Sequence, residues 1–349
     1  MTRRWLVTGA CGFPGSHLVD HLVTRGEEVI AADLPGADTT YLDRSGVAFI
    51  PADITRPETL HPVFEVAGRV DGVFHFAELA SYTAPEELLR RAQCDGTANL
   101  FDVMLEHGTE RVVVMSSGGV YGRPDHIPSD ETFPVKPLTA YDRSKAAQER
   151  LVAQYAEEKG VDARILRPAA IYGPRSRQRA AIPLFLMALG QMPAIPGRGD
   201  VHAATVHVKD VAGAARHLMT LPGAAGQAYN VADDTLMTLE DILFTLAPHV
   251  DAKIHNFHLP LWGLRLVSWW NARRAAKRGR PPKIEQDALM LLFHDTFMSN
   301  RKLKDTGYVL LYPDFIVGMV ETIGWYKAQN WLWRDQSFLR NVDVPGGHP

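Results

Sequence analysis

Cysteine is scarce: 349 residues contain two, Cys11 and Cys94. Neither lies in a C-x-x-C pair or a Cys/His cluster. That excludes a disulfide scaffold and a structural zinc site, and it leaves two free thiols suited to a reducing compartment. Asn-x-Ser/Thr sequons are absent. No apolar run approaches the ~18–20 residues that span a bilayer. Charge of one sign is not in excess either. The 37 basic and 40 acidic residues leave a formal net charge of −3, so nucleic acid is not an expected partner. The first strand-like run, Arg4–Thr8, begins too early to leave room for a signal peptide. These absences together predict a soluble, cytoplasmic protein. Internal repeats and low-complexity segments are missing too.

What is present is apolar material and regular alternation. Hydrophobic residues make up 46% of the chain, enough for one large domain or one and a half. Short apolar runs at 5–8, 29–33, 47–50, 72–77, 112–116 and 163–167 read as buried parallel strands. Helical patterns at 16–25, 85–107 and 141–158 lie between them. Strand–helix alternation predicts an α/β fold with a doubly wound parallel sheet. A strand–helix signal returns at 205–218 and again at 229–231. From Thr238 onward the pattern is mostly helical. The expected division is a core of 1–173 plus 205–235, a smaller lid of 174–204 plus 236–335, and a tail of 336–349.

The most informative stretch is Thr8-Gly9-Ala10-Cys11-Gly12-Phe13-Pro14-Gly15. It follows a strand and opens a helix. Glycines at 9, 12 and 15 let the backbone bend and let a pyrophosphate approach the helix N-terminus, whose N–H groups favour an anion. Asp33 ends the second strand, eighteen residues after Gly15. A carboxylate there accepts hydrogen bonds from an adenosine ribose diol and repels a 2′-phosphate. Leu34 and Pro35 follow, with no arginine to receive such a phosphate. The expected cofactor is NAD rather than NADP, in a Rossmann-type sheet.

Tyr141 and Lys145 stand at i, i+4 on a helix and so share a face. A phenol titrates near ~10, and bringing it to ~7 takes about 4 kcal/mol. A neighbouring ammonium and a cationic nicotinamide supply that by favouring the phenolate. Tyr141 then takes an alcohol proton as general base. Ser117, at the end of a core strand, is placed to orient the substrate oxygen. Taken alone, Tyr-x-x-x-Lys is common on solvated helices; beside the glycine turn and the serine-ended strand it marks redox chemistry at a carbon bearing oxygen. No metal is expected. His17 and His21 have ligand spacing, but Leu18 stands where H-E-x-x-H has glutamate and no third ligand is evident.

The chain resembles an extended short-chain dehydrogenase/reductase from residue 4 to about 330. The stretches that carry the resemblance are TGACGFPG at 8–15, Asp33, Asp53-Ile54, His75-Phe76-Ala77, SSGGVYG at 116–122, YDRSK at 141–145, RPAAIYGP at 167–174 and VHVKDVA at 206–212. The resemblance implies that Asp53 and Ile54 contact adenine and that Phe13, Pro14, Phe76 and Ala77 line the cofactor. It implies that Arg167–Tyr172, with Pro168 and Ile171, shapes the nicotinamide end. It also implies a homodimer paired through helices 85–107 and 141–158. Two departures lie near the cleft: Glu78 stands where a small residue is usual, and Gln93 where asparagine is usual.

The same resemblance sorts the chemistry. The 4,6-dehydratases carry an Asp-Glu pair after the catalytic Ser/Thr, where this chain has Gly118 and Gly119. Sugar-nucleotide epimerases carry an arginine at the place of Ala203, leaving Arg175, Arg177 or Arg198 as substitutes. Leu259–Trp262, Arg280–Lys283, Phe297–Lys302 and Thr306–Tyr308 are similar to the tail of 3β-hydroxysteroid and sterol dehydrogenases. The expected activity is alcohol–ketone interconversion on a hydrophobic, steroid-like small molecule. The alternatives are a nucleotide-sugar 4-epimerase and a non-catalytic NAD-sensing regulator. Trp262, Trp269 and Trp270, beside the basic run 273–283, are expected in the core, over a hydrophobic substrate, or on a membrane surface through 259–283.

Overall fold

The computed structural model describes residues 2–43, 47–177, 181–192, 194–277 and 293–332. The tail 336–349 and the Arg280–Lys283 stretch lie outside the described residues. The first strands are β1 (Arg4–Thr8), β2 (Glu28–Asp33), β3 (Ala48–Pro51), β4 (Gly72–His75), β5 (Arg111–Met115) and β6 (Asp162–Pro168). After them come β7 (Ala170–Tyr172), β8 (Ala194–Pro196), β9 (Thr205–His207), β10 (Gln227–Val231) and β11 (His255–Leu259). Seven form one sheet in the order β10-β6-β5-β4-β1-β2-β3, with every pairing parallel. The order reverses between β1 and β4. In doubly wound sheets that switch point opens a crevice at the carboxyl ends of the strands.

The helices of the first half are α1 (Phe13–Val23), α2 (His61–Ala67), α3 (Glu86–Arg90), α4 (Gly96–Glu106) and α5 (Ala140–Lys159). Those of the second half are α6 (Ile182–Ala188), α7 (Val208–Thr220), α8 (Leu239–Leu246), α9 (Leu261–Ala276), α10 (Arg301–Asp305) and α11 (Phe315–Ala328). Leu18, Val19 and Leu22 of α1 join Val211, Ala215 and Leu218 of α7 over one face of the sheet. Val63 and Phe64 of α2, Leu100 and Phe101 of α4 and Val152 of α5 cover the other. The central strands β1, β4, β5 and β6 are therefore buried on both faces, which is why they read as continuous apolar runs.

The helix expected over 85–107 runs from Glu86 to Glu106 with a π segment, Arg91–Asp95, inside it. The sequence pattern does not show that insertion. Three short strands, β7, β8 and β11, were also not expected; runs of three to five residues carry too little period-two signal. A third apolar cluster gathers Leu184, Phe185, Ile195, Leu243, Phe315, Met319 and Tyr326. Its chain segments come from 172–195, 242–250 and 315–332.

Helix α5 has local reasons to start and stop where it does. Thr139 is its N-cap and accepts from the Asp142 N–H at 3.1 Å. Asp142 favours the positive end, Lys159 the negative end, and Gly160 (φ 71°) takes the left-handed cap. This fixes which residues face the sheet. Tyr141, Lys145, Gln148 and Glu149 all do, and all are buried.

Candidate active site

The candidate cofactor residues converge at the carboxyl ends of the strands. Gly9 has φ 69°, and a Cβ there would lie 2.6 Å from the backbone of Phe76 and Ala77. A Cβ at Gly15 would lie 2.0 Å from the Gly9 carbonyl oxygen. The glycines thus let β1, the start of α1 and the loop after β4 close on one another. Gly12 is the N-cap of α1, with Phe13 and Pro14 opening its first turn. That turn presents backbone N–H groups without helical acceptors. The cradle fits a dinucleotide pyrophosphate.

Asp33 accepts from Cys11 N–H and Leu34 N–H, both at 2.8 Å. Burial raises its pKa, and these backbone donors oppose the rise. Gly12 N–H is a third backbone donor to the carboxylate, which leaves acceptor capacity for a ribose hydroxyl. Asp53 sits after β3, where its carboxylate accepts from Thr55 N–H and Oγ1–H at 2.9 and 2.8 Å. Ile54 packs where a Cβ on Gly96 would otherwise stand, 2.7 Å from its Cδ1. Pro168 ends β6, and Ile171 lies in β7 opposite Val206.

Tyr141 is buried and its hydroxyl donates to Glu78 Oε2 at 2.9 Å. Tyr82 packs edge-on against its ring, 5.3 Å between centroids. Lys145 is fully buried. Its ammonium donates to Met115 O at 2.7 Å and Gln148 Oε1 at 3.0 Å, and pairs with Glu78 Oε2 at 2.7 Å. Ser117 follows β5, where its hydroxyl accepts from Gly119 N–H at 3.0 Å.

Behind these lies a polar chain that sequence reasoning did not find. Gln148 Nε2 donates to Thr97 Oγ1 at 2.9 Å, and Thr97 Oγ1 donates to Gln93 O at 2.6 Å. His75 Nε2 meets the same Thr97 oxygen at 3.0 Å, and its Nδ1 meets Thr8 Oγ1 at 2.9 Å. Because the Thr97 hydroxyl already donates to a carbonyl, His75 must donate through Nε2, which fixes its tautomer. Burial, and secondly the Lys145 charge, lower its pKa to about 3, so it is neutral. The π segment brings Gln93 and Thr97 into this chain.

A second network stands behind Ser116. Arg167 donates to both oxygens of Glu149, at 2.9 and 2.6 Å, and to Tyr121 Oη at 2.9 Å. Ser116 Oγ also donates to Glu149, at 2.5 Å. Tyr121 donates to Asn230 Oδ1 at 2.7 Å. This cluster joins β5, α5, β6 and β10. Gln148 and Glu149 had a signal available: with Tyr141 they occupy i, i+7 and i+8, one helical face.

The two glycines after Ser117 are filled by other parts of the chain. A Cβ at Gly118 would lie 2.4 Å from Met298 Sδ, and one at Gly119 would lie 2.0 Å from Asp142 Oδ1. An acidic side chain at either place would have to displace Met298 or Asp142. Of the three arginines named as substitutes for a cation at Ala203, Arg175 pairs with Asp20, Arg198 pairs with Asp200 at 2.6 Å, and Arg177 stacks on Trp331 at 4.4 Å. His17 Nε2 donates to Pro174 O at 2.9 Å, and burial lowers the pKa of the ring to about 3.

Trp262, Trp269 and Trp270 do not enter the core. They are 73%, 41% and 55% exposed on α9, whereas Leu264 and Ser268 of the same helix are buried. With Leu266 and Arg273 the three rings fall on one face, at i, i+4, i+7, i+8 and i+11. Arg273 lies over the Trp269 ring at 4.1 Å. Among the described residues no helix is long and apolar enough to cross a membrane.

Comparison with known proteins agrees with the cradle. The chain is 27% identical over 268 residues to a bovine (Bos taurus) sterol-4-alpha-carboxylate 3-dehydrogenase, decarboxylating, covering 74% of this chain and 73% of that protein. It is 32% identical over 230 residues to a putative UDP-glucose 4-epimerase of Methanocaldococcus jannaschii, covering 62% and 72%. The fold matches that of the Thermus thermophilus UDP-glucose 4-epimerase solved with NAD, with a TM-score of 0.74, 26% identity, and 93% and 99% of the two chains covered. The NAD dependent epimerase/dehydratase family matches residues 5–232, and with the glycine cradle, Asp33 and the buried Tyr141–Lys145 pair in place, the chain belongs to that family of NAD-dependent enzymes.

Proposed function

We propose that the protein interconverts a secondary alcohol and a ketone on a hydrophobic, 3β-hydroxysteroid- or sterol-like substrate. The observation that carries this reading is the disposition of positive charge. Arg175 pairs with Asp20, Arg198 pairs with Asp200 at the surface, and Arg177 lies on Trp331. A nucleotide diphosphate would compete with those contacts. Met298, not a charged group, fills the space beside Gly118.

Tyr141 exchanges a proton with the substrate oxygen, Lys145 stabilises its phenolate, and Ser117 orients that oxygen. Gly9, Gly12, Phe13, Pro14 and Gly15 hold the pyrophosphate, and Asp33 the adenosine ribose. When bound, NAD supplies the hydride acceptor. The segments that form the third apolar cluster, with α9, make the substrate lid. Two copies pair through α3–α4 and α5. The test is NADH formation, followed by absorbance, across 3β-hydroxysteroids, sterols, lipid alcohols and UDP-sugars. NADH from steroids or sterols supports the reading. Interconversion of UDP-sugars without net NADH would replace it with the epimerase.

Asp33 should make the enzyme prefer NAD. A hydrogen bond to a charged group contributes ~1.5–3 kcal/mol, so NADP should bind about ten- to a hundredfold more weakly. Changing Asp33→Ser together with Leu34→Arg should move the preference toward NADP in a fluorescence titration. A wild-type preference for NADP would show that Asp33 does not face the ribose.

The exposed face of α9 is suited to the surface from which such a substrate comes. The helix carries Arg265, Arg273 and Arg274 and no acidic residue. An apolar face with a basic rim binds anionic interfaces. Half of a tryptophan's ~200 Å² at ~25 cal/mol per Å² is about 2.5 kcal/mol per ring. Trp262→Ala, Trp269→Ala and Trp270→Ala combined should abolish cosedimentation with phosphatidylserine-containing vesicles and leave the melting temperature nearly unchanged. Equal cosedimentation of variant and wild type would remove α9 from the lipid surface.

A further inference from the structure

Glu78 is the feature that the family pattern does not account for. It follows β4 on the Phe76–Leu79 loop. One of its oxygens, Oε2, lies 2.9 Å from the Tyr141 hydroxyl and 2.7 Å from the Lys145 ammonium. Its side chain is about one-fifth exposed, while that of Lys145 is essentially buried. The loop is held from two sides. Gln93 Nε2 donates to Leu79 O at 3.1 Å, and Ala77 N–H reaches Thr8 Oγ1 at 3.4 Å. The two departures noted in the sequence are therefore one arrangement: Gln93 fixes the loop from which Glu78 reaches the Tyr–Lys pair.

We infer that Glu78 is a positioning residue that turns the Tyr141–Lys145 pair into a charge-balanced triad, holding the proton on Tyr141 so that the resting group is a proton donor. The inference rests on Tyr141 being the proton-handling group of the proposed function. An ammonium beside a phenol favours the phenolate, but here a carboxylate in contact with both offsets that ammonium. A phenolate would also face the carboxylate directly, and like charges this close disfavour ionisation.

The other groups around the pair do not cancel this. His75 is neutral. Tyr82 presents a ring edge. Cys94, near enough to feel Lys145, has its thiol pushed up by burial and then by Asp95, so it stays protonated. Asp142, next in the chain, accepts from Thr139 Oγ1 at 2.6 Å. The Glu149 carboxylate is matched by Arg167 at 2.6 Å. Glu78 is thus the carboxylate in contact with both members.

The arrangement has a chemical consequence. When a carbonyl is reduced, the Tyr141 O–H bond breaks and the proton passes to the substrate oxygen, with NADH as reductant. A triad that rests as phenol, ammonium and carboxylate is ready for that direction. Alcohol oxidation needs the phenolate and should begin at higher pH.

Glu78→Gln keeps the acceptor oxygen and removes the charge; Glu78→Ala removes both. Tyrosinate absorbance near 295 nm, titrated with pH, isolates Tyr141 as the difference between each protein and its Tyr141→Phe counterpart. In both variants Tyr141 should ionise about one to three pH units lower than in wild type. The pH profile of kcat/KM for NAD-dependent oxidation of a 3β-hydroxysteroid should move by the same amount in the same direction. An ionisation that stays put or rises in Glu78→Gln would overturn the inference. The absorbance titration needs no substrate. A steroid that is not turned over therefore counts against the substrate reading, while the titration still decides the role of Glu78.

Discussion

Tyr141→Phe should lower turnover by at least a hundredfold and leave the fold and NAD binding almost intact. The substitution removes one hydroxyl and keeps the ring that packs against Tyr82. A positioned acid–base group contributes ~10²–10⁴-fold. The lost hydrogen bond to the Glu78 carboxylate costs about 1.5–3 kcal/mol, while Lys145 still pairs with that carboxylate, so the melting temperature should fall by only a few degrees. Lys145→Met should behave differently. It leaves the partly buried Glu78 without its ammonium and strips a donor from Met115 O and Gln148 Oε1. Loss of turnover should then come with a lower melting temperature and weaker NAD binding. Steady-state kinetics beside thermal unfolding separates the two. Substantial activity in Tyr141→Phe would sink the proposed mechanism.

That contrast shows where the sequence was informative. The glycine turn, Asp33 and the Tyr-x-x-x-Lys pair are local patterns. Each residue type is required by a backbone approach or a charge at one place, so spacing alone carries them. The glycine turn is the plainest case, since a Cβ at Gly9 or Gly15 would overlap backbone. The parallel sheet was legible for a similar reason: strands buried on both faces must be apolar throughout.

What was not legible depends on contacts between distant segments. Glu78 is 63 residues from the tyrosine it touches. No periodicity in either segment predicts that meeting, and only the odd size of the residue marked it. The same holds for Met298 beside Gly118 and for the Gln93–Leu79 bond. The α9 tryptophans illustrate another limit. The sequence leaves core, substrate cover and membrane surface open for them, because an apolar helical run does not show which face its neighbours leave bare. In the fold, Leu264 and Ser268 take the inward face and the rings are left outside.

Breaking the cluster behind Ser116 should give the largest loss of stability. The segment around Arg167 was expected to shape the nicotinamide end, yet the Arg167 side chain points into protein. It is buried, bidentate on Glu149, and shares that carboxylate with Ser116. Burial disfavours its charge, and the Glu149 and Tyr121 contacts more than compensate, so its pKa is raised. Glu149→Ala would leave that cation buried without its counter-ion. Removing one partner of a buried pair costs ~3–5 kcal/mol. For a domain of this size each kcal/mol lowers the melting temperature by about 2 °C, so a fall of roughly 5–10 °C is expected. Arg167→Met removes the other charge, leaves Tyr121 without its donor, and should be comparably destabilising. The double variant Glu149→Leu with Arg167→Met leaves no unpaired ion and should be more stable than either single one. Because Ser116 precedes Ser117, the single variants should also lose turnover below their melting temperatures through a displaced Ser117. Single and double variants that melt within about 1 °C of wild type would mean that the cluster is solvated and contributes little.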